Sequence, residues 1–450
     1  MTRSNVKACF VALCLASLTL SLAQTVNAAY QGPDRSKLRI GAYFLRVKPC
    51  VTDAHVRDLK DCGIDFVFDR FNSKFSRAEY DLYAKYGIGA VVTWVIPGKP
   101  SVPGTMRDTV QLSVYDKVSK DFRAAGRMHK VIEAMAIGDE PSAQDFPYMG
   151  EAIKAAERAF PECMIYLNLF PNYAFRATNT VSETLAQLGA ATYQEYIDKY
   201  CQYIPLDYIS YDFYLYSREN EDFIAKYYDN LRIVADACRR TNRSLWFLPQ
   251  VNSCVPKLWI SENMLRFQAY SAMAFGAESL AWSCYAPGWW SKNVLTADGE
   301  KTEQYAKLKA VNAELHRIGP AYMRFRNKAT HFVGFDDGCV DLAGTPIRPV
   351  ASLDAGSFLG LCANDGGKLI VGEMAARKDG GGDAVLICAA DEPYDKTFKM
   401  RAIRFRIKDG CEVHAIGGQG PFPLIRAEDG TFSFKMSSSA GVLLMANAMP

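Results

Sequence analysis

The strongest constraint on the fold is an alternation of two sequence patterns between Leu38 and Pro320. Short, nearly continuous apolar runs are each followed by an amphipathic stretch, and this pair occurs eight times. Unbroken apolar runs are typical of parallel strands buried on both faces, and amphipathic stretches are typical of the helices that cover them. The predicted strands are 38–44, 64–71, 88–96, 131–140, 163–170, 206–214, 245–251 and 278–285. Eight units over roughly 280 residues predict an α/β fold, a (β/α)8 TIM barrel.

A doubly wound sheet is the alternative fold. It usually has fewer units and a glycine-rich first turn, whereas the first strand here ends in GAYFLR. Helix-capping residues also support the alternation, because Thr52 or Asp53 can begin the first helix and Gly63 can end it. Ser76 and Gly87 are the corresponding residues of the second helix.

The texture of the sequence changes after Pro320. Residues 325–450 carry short β-like runs such as KLIVGEM, AVLICAA and AIRFRI, separated by turns rich in Gly, Asp and Lys. This pattern predicts a small antiparallel β-sandwich. We therefore divide the chain into a segment 1–28, a barrel 29–322 and an accessory sandwich 323–450.

Segment 1–28 has the pattern of a cleavable signal peptide. Arg3 and Lys7 precede an apolar run that reaches about Ala23, and Val26 and Ala28 form an A-x-A-like cleavage site. We expect cleavage near Ala28 and a secreted or periplasmic protein. No later run of about 18 apolar residues occurs, so we expect no membrane insertion.

Charge and cysteine content exclude several classes of protein. Lys and Arg total 52 against 49 Asp and Glu, which is too balanced for a nucleic-acid-binding protein. Eleven cysteines follow the signal segment, an odd number without a CxxC pair, which argues against a zinc ribbon. Most are expected to be small buried residues, with pairing, for example of Cys50 with Cys62, left open. The oligomeric state is also left open.

In a TIM barrel the active site lies at the C-terminal ends of the strands. None of the five His falls there, so we expect no metal centre, and no P-loop or dinucleotide fingerprint occurs, so we expect no cofactor. The strand ends instead offer carboxylates among aromatic and amide side chains, a combination suited to a carbohydrate substrate. The predicted substrate-binding residues are Tyr43, Asp69, Arg70, Trp94, Asn168, Tyr211, Tyr214, Gln250, Asn252, Trp282, Tyr285, Trp289 and Trp290.

The strongest local motif is AIGDEP at 136–141. An apolar strand delivers Asp139 and Glu140 to the rim, and Pro141 ends it. We interpret Glu140 as the general acid that protonates a leaving oxygen. The alternative is that the pair caps the helix that begins near Ser142. For Asp69 and Arg70, a sugar contact and a rim salt bridge are equally compatible with the sequence.

The late-strand aromatic residues have two interpretations. Trp282, Tyr285, Trp289 and Trp290 can belong to the core. Pro287 and Gly288, however, favour a loop that carries the last two tryptophans over the rim as a sugar-stacking platform.

The chain resembles clan A-type glycoside hydrolases. The resemblance rests on the order of the elements over 38–320, the carboxylate of strand four, SYDFY on strand six and the segment LRFQAYSAMAFGAESLAWSCYAPGWW. The last segment is similar to family 42-like β-galactosidases, and a β-sandwich often follows such barrels. The resemblance implies that Glu140 is the acid/base residue, with Asp139 in place of the usual Asn. It places the nucleophile at the end of strand seven, where WFLPQVNS has Gln250 in place of Glu.

Because an amide cannot form a glycosyl ester, three interpretations stay open. Asp212 at the end of strand six can be the second carboxylate, as nucleophile or as base, and the separation of the two carboxyl groups distinguishes these roles. The Asp139–Glu140 pair also resembles the Asp-Glu pair of substrate-assisted hexosaminidases of families 20 and 123, with Tyr211 or Tyr214 on the acetamido oxygen. A non-catalytic carbohydrate-binding protein is the third interpretation.

Overall fold

The computed structural model describes residues 36–43, 51–70, 77–93, 95–174, 181–217, 222–253, 258–355, 359–361, 367–378, 382–391, 393–394, 400–408 and 411–446. Segment 1–28 lies outside these residues. Within the described part of the chain, no helix is long and apolar enough to cross a membrane.

Eight parallel strands close into a barrel in chain order, which confirms the predicted TIM barrel. The strands are β1 (Arg39–Tyr43), β2 (Phe66–Arg70), β3 (Gly89–Thr93), β4 (Ile132–Asp139), β5 (Met164–Leu169), β6 (Tyr208–Phe213), β7 (Ser244–Pro249) and β8 (Ala277–Trp282). Each lies within or overlaps one of the eight predicted runs.

Helices cover the outside of the barrel. They are α1 (Asp53–Asp61), α2 (Arg77–Tyr86), α3 (Met106–Thr109), α4 (Val114–Ala124), α5 (Phe146–Ala159), α6 (Val181–Leu188), α7 (Tyr193–Tyr203), α8 (Asp222–Thr241), α9 (Glu262–Ala274) and α10 (Glu303–Tyr322), with 3-10 turns at Asn172–Ala174, Leu215–Ser217 and Val340–Leu342. Thr52 caps α1 by accepting a hydrogen bond from the backbone N–H of His55. Gly63 and Gly87 follow their helices with φ of 76° and 65°, as predicted for helix stops.

Aromatic side chains fill the barrel interior. The rings of Phe68 and Tyr166 lie 4.8 Å apart, those of Tyr166 and Tyr208 lie 6.1 Å apart, and Tyr208 stacks on Trp246 at 4.7 Å. These packed rings fill the barrel interior beneath the residues at the C-terminal ends of the strands.

The C-terminal part forms two antiparallel sheets. Its strands are β9 (Phe325–Val333), β10 (Leu353–Ala355), β11 (Leu359–Leu361), β12 (Leu369–Ala376), β13 (Asp383–Ala389), β14 (Met400–Ile407), β15 (Val413–Gly417), β16 (Gly420–Phe422), β17 (Ile425–Arg426), β18 (Phe432–Ser437) and β19 (Gly441–Ala446). One sheet has the order β10-β11-β14-β18-β17, and the other has the order β16-β15-β19-β13-β12-β9. A shared core with Val371, Val385, Phe405 and Phe434 lies between them, as in the predicted sandwich.

Candidate active site

Strand register brings the ends of β4, β5 and β6 together. Asp139 pairs with Asn168, and Asn168 pairs with Ser210, two residues before Asp212. The register of β4 shifts between Ala136 and Gly138, which is a bulge that sets Asp139 opposite Asn168. Because alternate residues of a strand share a face, Ser210, Asp212 and the following Tyr214 lie on the same side of β6.

The amide of Asn168 bridges two carboxylates. Its Nδ2 donates to Oδ1 of Asp212 at 2.7 Å and to Oδ1 of Asp139 at 3.2 Å. The two carboxylate oxygens are therefore no more than about 6 Å apart.

A buried hydroxyl network orients this amide. Ser210 Oγ donates to Asn168 Oδ1 at 3.1 Å, and Ser210 Oγ lies 2.7 Å from the phenol oxygen of Tyr166. The amide oxygen is thus held by hydroxyls, so the NH2 group faces the acids. Asn168 accordingly lies in the predicted site, where it contacts the carboxylates.

Glu140 leaves the strand in an unusual backbone conformation. Its φ is 50°, in the left-handed region that costs a non-glycine residue roughly 1–2 kcal/mol. Its N–H still donates to the carbonyl oxygen of Asn168 at 2.9 Å, which keeps the residue beside β5. This turn interrupts the alternation of the strand, and the charges of both Asp139 and Asp212 act on Glu140.

Burial raises the pKa values of all three acids, and neighbouring carboxylate charges raise those of Glu140 and Asp212 further. The pKa of Glu140 is raised to about 9, mainly by burial and then by the charges of Asp212 and Asp139, although Lys99 opposes this shift. The pKa of Asp212 is raised to about 7 by burial and by Asp139, against hydrogen bonds that include that of Asn168. Burial also raises the pKa of Asp139. At neutral pH Glu140 therefore holds a proton, and Asp212 is close to its titration point.

A connected group of aromatic side chains reaches these acids through Tyr43 and Tyr214. The rings of Tyr43 and Trp289 lie 5.9 Å apart, and Tyr214 meets Trp289 at 6.2 Å and Trp290 at 5.2 Å, both edge-on. Trp290 is 39% exposed, and its φ is 63°. Tyr43 also lies near Asp139 and Asp212, whose charges contribute to its raised pKa. These four residues lie where the sequence predicts substrate contacts.

The structure places Tyr211, Trp282 and Tyr285 in the core, which corrects their predicted role. All three are fully buried. Tyr211 packs on Phe247 at 5.3 Å, and Trp282 donates from Nε1 to Asn312 of α10 at 2.9 Å. Tyr211 and Asp212 are adjacent in the strand and so face opposite sides of it. The prediction from the sequence took both as site residues and did not allow for this alternation.

Gln250 and Asn252 are also scaffold residues. Gln250 accepts from the N–H of Tyr216 and donates to the carbonyl of Asn252, both at 2.7 Å. Asn252 donates to the carbonyl of Trp289 at 2.7 Å. Both are fully buried, so we correct their assignment: they are not substrate contacts but support the loop after β8 that carries Trp289 and Trp290. Gln250, at the position that the resemblance gives to the nucleophile, therefore has both ends of its amide engaged.

Three of the predicted substrate-binding residues belong to strands β2 and β3 or follow them. One of them faces away from the cleft, and the other two lie wholly or in part outside the described residues. Asp69 is 1% exposed and follows Phe68, which lines the cleft, so alternation turns Asp69 to the opposite face. This corrects its prediction as a sugar contact. The side chain of Arg70 and the whole of Trp94 lie outside the described residues.

A cleft of about 560 Å3 opens beside Asp139. Its walls come from β1 to β5 and from loop 95–101, and they include Phe68, Lys99 and Tyr166. Sequence reasoning missed these three residues. Lys99 follows strand three within the run PGKP, and a search that extended a few residues beyond each strand end would have included it.

Comparisons with known proteins identify glycoside hydrolases among similar folds. No protein-family model and no curated protein matches the chain. A family 39 glycoside hydrolase from Bacteroides cellulosilyticus WH2 is 12% identical, with a TM-score of 0.41 over 92% of this chain and 82% of that one. A glucosidase from Croceicoccus marinus is 13% identical, with a TM-score of 0.43 over 93% and 97%. A GH128 endo-beta-1,3-glucanase from Sorangium cellulosum is 13% identical, with a TM-score of 0.40 over 60% and 98%.

Proposed function

We propose that the protein is a glycoside hydrolase. The observation that carries the proposal is the cluster of Asp139, Glu140 and Asp212 at the C-terminal end of the barrel, where the pKa of Glu140 is raised to about 9 and that of Asp212 to about 7. A pair of acids whose surroundings separate their pKa values has an acid and a base already assigned. The aromatic side chains that reach the cluster supply faces on which a sugar ring stacks.

In this proposal Glu140 is the general acid. It is protonated at neutral pH and loses that proton most easily to an oxygen that develops negative charge as a glycosidic bond breaks. Asp212 is the second carboxylate. Its ionised form is stabilised by the 2.7 Å hydrogen bond from Asn168. Asp212 therefore takes the role that Gln250 cannot fill.

A second candidate is substrate-assisted cleavage of 2-acetamido sugars. The observation that favours it is the backbone turn at Glu140, because it leaves two consecutive acids acting on one site. Asp139 would then orient the acetamido group, and Glu140 would remain the acid. Hydrolysis of 2-acetamido glycosides only, with no turnover of the matching 2-hydroxy glycosides, would favour this candidate over the first.

The first experiment is an activity screen with matched variants. Wild-type protein, Glu140→Gln and Glu151→Gln are tested on 4-nitrophenyl α- and β-glycosides and on natural oligosaccharides. Glu151 is a suitable control because it is 54% exposed on α5. We expect Glu140→Gln to lose at least 100-fold in kcat/KM on oligosaccharides, and Glu151→Gln to match wild type. Oligosaccharide hydrolysis by Glu140→Gln at the wild-type rate would contradict the assignment.

We also propose that the protein is exported and that the segment 1–28 is removed. The support is the charged and apolar pattern of that segment. The test is expression of the full chain in a bacterial host, with fractionation and mass determination of the intact protein. A periplasmic or medium fraction whose N-terminus is Ala29 would agree, and an intact cytoplasmic chain would not.

A further inference from the structure

The candidate site has two chemically different sides. The β5, β6 and β8 side carries amide, carboxylate and aromatic groups, namely Asn168, Asp212, Tyr214, Trp289 and Trp290. The other side is the cleft between loop 95–101 and the end of β4, which has one aliphatic wall and is also lined by polar residues that include Lys99, Ser101 and Asp139. That wall is formed by Val95, Ile96, Pro97, Pro100, Ala136 and Ile137.

Several polar groups of this cleft have partners within the protein, although Lys99 and Ser101 also line it. Thr93 Oγ1 donates to the carbonyl of Asp69 at 3.0 Å, and the carbonyl of Pro97 accepts from Tyr115 at 2.8 Å. The phenol of Tyr166 is bonded to Ser210. A sugar ring in the cleft would bury several hydroxyls beside aliphatic carbon, at roughly 1–3 kcal/mol for each unpaired group. The wall therefore favours an apolar occupant.

The cleft is also preformed. A Cβ on Gly98 would lie 1.5 Å from the carbonyl oxygen of Ile137, so the loop backbone is pressed directly against β4. Proline at 97 and at 100 limits the loop further, and Lys99 lies over the ring of Phe170 at 5.3 Å. A cavity held open in this way binds apolar groups without a cost of ordering the loop.

We propose that this cleft is the leaving-group subsite and that it takes an apolar aglycone. The inference depends on the proposed glycosidase function. The acid Glu140 directly follows Asp139, which lines the cleft. Because a general acid protonates the oxygen between sugar and aglycone, the aglycone extends on the acid's side of the site. The sugar then lies against the polar and aromatic side.

The test uses methyl, butyl and hexyl glycosides of whichever sugar the screen shows to be active. Simple alkoxide leaving groups differ little in basicity, so the series reports binding to the cleft. We expect kcat/KM to rise about fourfold per methylene while the cleft fills, the fold-change that corresponds to ~0.8 kcal/mol. A flat or falling series would overturn the subsite and leave the glycosidase proposal standing. Hydrolysis of no glycoside at all would refute both.

A matched pair of variants locates the effect. Val95→Thr keeps the shape of a wall residue and adds a hydroxyl, so we expect the hexyl-to-methyl ratio of kcat/KM to fall about two- to fivefold. Val102→Thr makes the same change at a residue that is 60% exposed outside the cleft wall, and its ratio should equal that of wild type. An unchanged ratio in Val95→Thr would overturn the proposal. The proposal would also be overturned if kcat/KM rose with the length of an N-acyl substituent on the sugar and did not rise with the length of the aglycone.

Discussion

At the residue scale, three carboxyl groups share one end of the barrel, and burial together with the neighbouring charges decides which of them holds a proton. The pKa of Glu140 is raised to about 9, whereas that of Asp212 is raised to about 7. The bridging amide of Asn168 stabilises the aspartates as anions, at 2.7 Å and 3.2 Å. Glu140 is left as the proton carrier, a division of roles made by position in the fold.

The raised pKa of Glu140 carries a cost in stability that depends on pH. The ordinary pKa of 4.5 applies in the unfolded chain, so between pH 4.5 and about 9 the native state binds a proton that the unfolded state releases. Native stability from this residue is therefore present below pH 4.5 and is lost as pH rises through that window. Glu140→Gln cannot ionise. We expect its free energy of unfolding to exceed that of wild type by more than about 1.4 kcal/mol at pH 8 and to converge with it near pH 4.

Denaturant unfolding of both proteins at pH 4, 6 and 8 makes this measurement. Glu151→Gln serves again as the control, with no pH-dependent gap expected. A difference between Glu140→Gln and wild type that stays constant from pH 4 to pH 8 would contradict the raised pKa.

Asn168→Ala should move the acidic limb of the pH profile. Its hydrogen bond lowers the pKa of Asp212, so removing the amide raises that pKa. We expect the acidic limb of kcat/KM to shift to higher pH by about 1 unit, with a loss of activity at pH 6 that is partly recovered at pH 8. The pH dependence of kcat/KM is the measurement. A uniform loss at all pH values would show that Asn168 acts only on geometry.

At the element scale, the end of β4 and loop 95–101 form one unit. The bulge between Ala136 and Gly138 sets the register of Asp139, and Gly98 packs against the carbonyl of Ile137 between them. The acid at position 140 is therefore positioned by a loop from the preceding βα unit. This arrangement links the shape of the cleft to the placement of the strand end that carries Asp139 and Glu140.

Gly98→Ala tests this link. The added Cβ meets backbone, so the loop or the strand end must move, and we expect a loss of roughly 1–3 kcal/mol in stability together with a drop in activity. Gly417→Ala is the control, because its Cβ would approach no atom closer than 3.5 Å. Thermal unfolding and kcat/KM are measured for both. A Gly98→Ala protein with wild-type stability and activity would contradict the close packing.

The barrel and its strand ends were predictable from the sequence, because the period of apolar runs reports burial directly. The direction in which individual side chains face was not predictable. Trp282 and Tyr285, for example, are both in the core. The face that a strand residue takes depends on the register of the strand, and a shift of one residue reverses it. The turn at Glu140 and the contacts of Lys99 depend on loop conformation, which has no periodic pattern. The amide bridge of Asn168 joins residues 44 positions apart, a distance at which single-sequence patterns carry no information.

At the scale of the whole molecule, the six-stranded sheet lies between the barrel helices and the second sheet. A Cβ on Gly441 of β19 would lie 2.1 Å from the ring of Tyr270 on α9, and one on Gly372 of β12 would lie 2.3 Å from the carbonyl of Ala274. Tyr216, just after β6, donates to the carbonyl of Pro393 at 2.8 Å. The sheet is thus packed against the same layer that supports β6 and β7, which favours a bracing role. The division of the chain at residue 322 stays a prediction.

Because of this packing, we expect the barrel and the sandwich to unfold together. Gly441→Ala should lower the midpoint of a single calorimetric transition by roughly 1–3 °C, since overpacking costs about 1–3 kcal/mol and the entropy of unfolding of so long a chain is large. Gly417→Ala on neighbouring β15 again provides the control. Two separate transitions in the wild-type protein, with only one of them shifted by Gly441→Ala, would contradict a braced structure.

The most direct test of the central claim separates the roles of Glu140 and Asp212 by leaving group. Each of Glu140→Gln and Asp212→Asn is compared with wild type on an alkyl glycoside and on the 2,4-dinitrophenyl glycoside of the same sugar, whose leaving group needs no proton. We expect Glu140→Gln to lose at least 100-fold in kcat/KM on the alkyl glycoside and to keep most of its activity on the dinitrophenyl glycoside. Asp212→Asn should lose activity on both. Equal losses of Glu140→Gln on the two substrates, or wild-type activity of Asp212→Asn, would contradict the account.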